Sequence, residues 1–153
     1  MLTDHRDKRL IRAIHLFQRH KGRRGPISAV VRIYAKQAHA FWSIVSGSDI
    51  SRRAQIAKTV RFPHPTGVVV HADAVIEDGC QIQQQVTIGQ RIGKAAPVLK
   101  KGCYIGAGAK VLGGITIGEG ARVGANAVVI EDVPAGCSAV GIPARILTDK
   151  KSD

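Results

Sequence analysis

A chain of 153 residues with a net charge of +12, 44% apolar but only 4% aromatic residues, and 17 glycines suits one domain with a small appendage. Its three cysteines, Cys80, Cys103 and Cys137, are odd in number and lack metal-ligand spacing, which argues against a disulfide framework and for a reduced, cytosolic chain. No apolar run suits a bilayer span, because the best stretch, residues 27–45, is interrupted by Arg32, Lys36, Gln37 and His39, and no secretory leader is legible behind the basic start.

The charge is uneven. Residues 1–61 hold 14 of the 23 lysines and arginines, and their only acids are Asp4, Asp7 and Asp49. Such asymmetry predicts an anionic partner for the N-terminal part: a membrane surface, a nucleic acid or an acidic protein. Within that part, Leu10, Ile11, Ile14 and Phe17 stand at helical spacing over residues 8–20. KGRRGP interrupts the pattern. Ile27, Val30, Val31, Tyr34, Ala38, Phe41, Trp42 and Val45 then share one helical face, and Gly47 ends it. Residues 1–48 therefore read as two amphipathic helices with basic outer faces. Their apolar stripe is expected to pack on the rest of the chain or on sister subunits. The sharper alternative is peripheral docking on anionic lipid, at the inner membrane. Nucleic acid is not expected, because no aromatic or helix-turn-helix arrangement accompanies the charge.

From Ile50 the period changes to six. Ile50, Ile56 and Phe62 open the series, FPHPTG inserts a slip of two residues, and Val70, Ile76, Ile82 and Ile88 resume it. Leu99, Ile105, Val111, Ile117, Val123 and Val129 form a second run. Two positions earlier stands a small or modest residue, as at Ala54, Ala74, Cys80, Cys103, Ala109, Ala121 and Ala127. Period six is neither helical nor a simple strand alternation. It predicts a mainly β fold, a parallel β-helix in which each hexapeptide is a short strand plus a turn and three make one triangular coil. The aliphatic residue points inward, the small residue lies where a larger one would not fit, and roughly five coils support one another. Cys80 and Cys103 at small-residue positions read as filler rather than nucleophiles. Residues 89–98, GQRIGKAAPV, break the period and predict a protruding loop, a common place for function on a rigid solenoid.

One of six histidines, His64, stands between two prolines in FPHPTG, where the repeat slips. Such flanks would hold its backbone stiffly. His71 reads as an exposed turn residue, with the same cleft as its alternative. His5, His15, His20 and His39 lie in the basic helices, where a solvated or packed role is the default.

The stretches DISRRAQIAKTV, HPTGVVVHADAVIEDG, VTIG, YIGAGAKVLGGITIGEGARVGANAVV and AVGIPARI together resemble the hexapeptide acyltransferases with a left-handed β-helix. Within these the chain is most similar to the serine acetyltransferases, over residues 49–147. Beside the basic helical segment at 1–48, the resemblance implies an acetyltransferase β-helix at 49–147 with its loop near 89–98, which leaves a tail at 148–153; the family's large N-terminal helical domain is mostly absent. It implies direct acetyl transfer from acetyl-CoA to a hydroxyl, without a metal, by a homotrimer. The family's catalytic histidine matches His64. Its coenzyme groove matches Gly106, Ala107, Gly124 and Ala125, with Arg122, Arg145 and Lys150 as candidates for phosphate or adenine. A backbone N–H near Gly89 and Gln90 is the candidate oxyanion donor. Three departures stand out. Pro63 replaces the aspartate that usually precedes the histidine, and Ala95 and Ala96 replace an arginine and a second histidine before Pro97. Arg91 and Lys94 are the substitute anchors for an acceptor carboxylate. The implied acceptor is L-serine or, equally, a sugar hydroxyl in bacterial polysaccharide assembly, and the rival from another class is a non-catalytic scaffold.

Overall fold

The structure, a computed structural model, describes residues 6–147. Two helices precede a parallel β-helix. The first, α1 (Arg6–His20), opens with Asp7 and closes with Arg19 and His20, a charge order that complements the helix dipole. The second, α2 (Pro26–Ser46), starts on the proline and is capped by the left-handed Gly47.

The first coil of the β-helix holds β1 (Asp49–Ile50), β2 (Gln55–Ile56) and a single bridge at Arg61. The second holds β3 (Val69–Val70), β4 (Val75–Ile76) and β5 (Gln81–Ile82). The third holds β6 (Thr87–Gly89), β7 (Val98–Leu99) and β8 (Tyr104–Ile105). The fourth holds β9 (Lys110–Leu112), β10 (Thr116–Ile117) and β11 (Arg122–Val123). The last holds β12 (Val128–Val129), a bridge at Val133 and β13 (Ser138–Val140). β14 (Arg145–Leu147) turns back antiparallel onto β13. Every third strand stacks in register, so the three faces of the prism run β1-β3-β6-β9-β12, β2-β4-β7-β10 and β5-β8-β11-β13-β14.

The period of six explains the register. Ile50, Val70, Ile88, Val111 and Val129 line the inside of the first face, and Ile76, Leu99 and Ile117 the second, all buried. Phe62, Ile82, Ile105 and Val123 line the third. Each such aliphatic side chain contributes roughly 1.5–3 kcal/mol through burial. The ladder forms one core that also takes in Leu10, Ile11 and Ile14 of α1. α1 is fastened to the first coil by polar bonds as well. The Gln18 amide donates to the Arg52 and Ala54 carbonyls at 2.9 and 2.8 Å, and His15 Nε2 lies 2.6 Å from the Ile56 carbonyl.

α2 departs from the expected packing. Its fully buried residues are Ala35 and Ser46, with Trp42 half-buried under the Arg9 guanidinium. Ile27, Val30, Tyr34, Phe41 and Val45 of the expected packing stripe face outward, together with Ile33 and Ile44; Ile27 is 78% and Ile44 81% exposed. The reason is where the helix is anchored. His39 Nε2 lies 2.8 Å from the Ile50 carbonyl, and Trp42 packs under Arg9 of α1. These contacts turn the small-residue side of α2 toward the chain and its larger apolar side away.

Candidate active site

The three corners of the prism have different characters, set by where the repeat deviates from six. Between Phe62 and Val70 the spacing is eight residues, and the two extra ones build the corner that carries His64. Its backbone is held from both sides. The Val68 N–H donates to the Pro65 carbonyl at 3.1 Å, Gly67 N–H to Gly47 at 2.7 Å, and Gln85 N–H to Thr66 at 2.9 Å. Pro65 is buried, Pro63 half-buried, and the His64 side chain exposed. Among the described residues the His64 ring makes no hydrogen bond. The corner thus presents an unengaged imidazole on a fixed backbone.

The same corner continues down the stack. Gly108 N–H donates to Gln84 at 2.9 Å and Asn126 N–H to Ala107 at 2.8 Å. Four of the expected coenzyme positions, Gly106, Ala107, Gly124 and Ala125, therefore stand on the His64 corner, two and three coils further on. Ala107 and Gly124 are half-buried and Ala125 exposed. Gly106 itself is buried, and a Cβ there would lie 2.6 Å from the Ala125 nitrogen. Glycine at 106 serves close coil stacking rather than room for a ligand, because no real Cβ tolerates that approach.

The five-residue insertion between Ile88 and Leu99 builds the next corner. Its loop folds as a tight turn in which Lys94 N–H donates to the Arg91 carbonyl at 2.9 Å. Gly93 sits at the third turn position with φ 71°, the left-handed value a type II turn demands there. The Gln90 side-chain amide donates to the Lys94 carbonyl at 2.6 Å. Arg91 and Lys94 come together on a small pocket of about 130 Å³, backed by Leu112, Ile115 and Ile130. Ala96 and Pro97 are buried, so the position matched to a second histidine holds a core methyl. His71 also belongs to this corner. Its Nδ1 accepts the Asp73 N–H at 3.2 Å, a local turn bond rather than a place beside His64.

One chain does not bring His64 together with Gly89, Gln90, Arg91 and Lys94. Gly89 ends β6 on the same face whose β3 follows His64, so the two groups occupy opposite edges of that face. The remaining phosphate candidates scatter. Arg122 is exposed on the third face, its guanidinium 5.6 Å from the Tyr104 ring centre. Arg145 lines a hollow of about 250 Å³ at the C-terminal end, beside Glu131 and Asp132, which compete for its charge. Lys150 and the tail at 148–153 lie outside the described residues.

A residue without a sequence signal joins the His64 segment. Asp7 in the first turn of α1 has a side chain only 1% exposed. Its Oδ2 accepts the Phe62 N–H at 3.4 Å and lies 3.6 Å from Arg61 Nε. It fixes the strand two residues before His64, on the side where Pro63 replaces the usual aspartate. An isolated acid in a helix's first turn reads as a dipole partner, and only the docking of α1 reveals this contact.

A stack of such hexapeptide coils, with one corner and one loop departing from the period, defines a hexapeptide-repeat domain. Residues 96–131 match the model of the bacterial transferase hexapeptide family, six repeats. The chain is 42% identical over 107 residues to the serine acetyltransferase of Synechococcus elongatus, covering 68% of this chain and 44% of that protein. It is 44% identical over 108 residues to that of Salmonella typhimurium, covering 69% and 40%. Among solved structures, a serine acetyltransferase in complex with CoA matches with a TM-score of 0.75 at 35% identity, over 90% of this chain and 55% of that one. The soybean serine acetyltransferase complexed with serine matches with a TM-score of 0.75 at 40% identity, over 90% and 56%. The chain is a serine acetyltransferase-like hexapeptide-repeat protein, and its β-helix is the left-handed one that the repeat resembles. It spans less than half the length of these curated relatives.

Proposed function

We propose that the chain is an acetyl-CoA-dependent O-acetyltransferase of the serine acetyltransferase type, with His64 as general base. The observation that carries this reading is the unengaged His64 imidazole stacked on one corner with Gly106–Ala107 and Gly124–Ala125. The imidazole takes the proton of the acceptor hydroxyl as its oxygen attacks the acetyl carbonyl. The carbon–sulfur bond then breaks, and the imidazolium returns the proton to the CoA thiolate. The separation of His64 from the 89–98 loop within one chain supports a homotrimer, in which the loop of one copy meets the His64 corner of the next. The pocket of about 130 Å³ between Arg91 and Lys94 suits a small carboxylate-bearing acceptor and favours L-serine over a sugar hydroxyl.

The test is CoA release from acetyl-CoA with L-serine and with a panel of sugars. His64→Ala is expected to lower turnover roughly 10²–10⁴-fold while CoA still binds. Normal turnover by His64→Ala would remove the base. Release with sugars alone would move the acceptor, and no CoA binding at all would favour a scaffold.

The N-terminal helices support a peripheral contact with an anionic membrane. α2 carries no acid and turns Phe41, Ile44 and their neighbours outward, beside the cationic α1. Among the described residues no helix is long and apolar enough to cross a bilayer. Co-sedimentation with anionic but not neutral vesicles, lost in Phe41→Ser/Ile44→Ser, is the expected result; equal sedimentation of both proteins would end the idea.

A further inference from the structure

The third corner of the prism carries neither the histidine nor the loop. At its N-terminal end α1 lies over the first coil and leaves a hollow of about 380 Å³. Five cationic side chains line it: Lys8, Arg12 and Arg19 from α1, and Lys58 and Arg61 from the coil. Ile11, Leu16 and Val60 form an apolar floor, and among the described residues no acidic side chain lines the space. Positions 8, 12 and 19 fall within about 40° of one another around the helix, so they make a row roughly 16 Å long.

What sets this row apart is five cations around one hollow. Two exposed cations elsewhere have acidic partners, Arg53 with Asp73 at 3.2 Å and Lys100 with Glu77 at 3.0 Å. Among the described residues Lys8, Arg12, Arg19 and Lys58 have no ion pair. Arg61 is the exception, and its partner Asp7 is buried beneath it. Like charges gathered without counter-charge repel one another, a cost that a bound anion reverses. The wall is also fixed in place. His15 and Gln18 tie α1 to the coil backbone, and Leu10 and Ile14 sink into the core, so binding need not order the helix.

We propose that this hollow is a binding site for an elongated polyanion with at least two linked phosphate groups, separate from the acetyl-transfer corner. A single phosphate engages one or two of these cations, whereas linked phosphates engage several at once. Guanidinium forks and ammonium groups are the chemistry that recognises phosphate oxygens, and the apolar floor accommodates the group that the phosphates are attached to. The phosphates can come from a small dissolved compound or from a lipid diphosphate headgroup.

The experiment uses the full chain. Calorimetric titration with sodium tripolyphosphate is compared between the native protein and Arg12→Ala/Arg19→Ala. Both arginines are exposed, and circular dichroism checks that the variant folds. The expected result is saturable binding, weakened about tenfold for each guanidinium removed and weakened further as salt rises. Tripolyphosphate should leave the acetyl-CoA dependence of CoA release without competitive inhibition. Binding only to vesicles containing a polyprenyl diphosphate, lost in the double variant, would support the site and assign the phosphates to lipid. The proposal is overturned if neither tripolyphosphate nor the vesicles bind, if the variant binds as tightly as the native chain, or if tripolyphosphate competes with acetyl-CoA in turnover.

Discussion

Replacing Asp7 by alanine tests how α1 governs the His64 segment. The substitution leaves the Phe62 N–H, on a residue 1% exposed, without its acceptor. An unsatisfied buried N–H costs roughly 1–3 kcal/mol. The 3.4 Å bond is long, so the lower half of that range applies. The Arg61 pairing adds little, because that side chain is 57% exposed and screened by water. The total is about 2 kcal/mol, which for a domain of this size lowers the unfolding midpoint by about 4–8 °C. Asp7→Asn keeps an acceptor oxygen and should lose about half as much. Both variants are followed by thermal unfolding at neutral pH, with CoA release measured well below the midpoint. Asp7→Ala should also lower turnover while folded, because the strand that delivers His64 is less firmly held. An unchanged midpoint and unchanged turnover would refute the reasoning.

Two further predictions concern buried titratable groups. Burial holds the His39 pKa below its ordinary value, against the raising effect of its bond to the Ile50 carbonyl. The unfolded chain therefore binds a proton that the folded chain resists. Stability is complete above pH about 6.5 and falls as the pH drops from there toward the lower folded pKa. The unfolding midpoint should decline over that window in the native protein, and His39→Gln should flatten the decline; identical slopes would sink the assignment. Cys80 and Cys103 stack in neighbouring coils, both buried. The interaction between the two sulfurs pushes the Cys80 thiol down and the Cys103 thiol up, while Cys80 Sγ donates to the Lys100 carbonyl at 3.0 Å. Cys103 Sγ lies 3.1 Å from the Gly118 carbonyl. A thiol reagent should modify half-buried Cys137 in the folded protein, and Cys103 only after denaturation; mass spectrometry of both states decides.

The inward ladder from Ile50 to Val129 was legible in the sequence because it is a local signal. Each hexapeptide carries its own inward aliphatic residue, its small neighbour and its turn, so the period states the fold without knowledge of any partner. The two places where the period fails, FPHPTG and GQRIGKAAPV, were legible for the same reason, and they are the two corners that differ from the rest. Only the tertiary structure decided what those corners face. Stacking adds a separate coil between residues about twenty positions apart, and that placed Gly106 and Gly124 below His64 while sending Arg91 and Lys94 to the opposite edge of the same face. The α2 stripe shows the limit most clearly. Its periodicity is real, but amphipathic spacing names a face and not its direction, and the His39 bond to Ile50 and the Trp42 contact with Arg9 turned the large apolar residues outward. Asp7 beneath Arg61, and the cationic hollow between residues 8–19 and 58–61, depend on the docking of a helix about forty residues away in sequence. No spacing rule reaches that far, because such contacts are set by which surfaces the folded coils leave for the helix to cover.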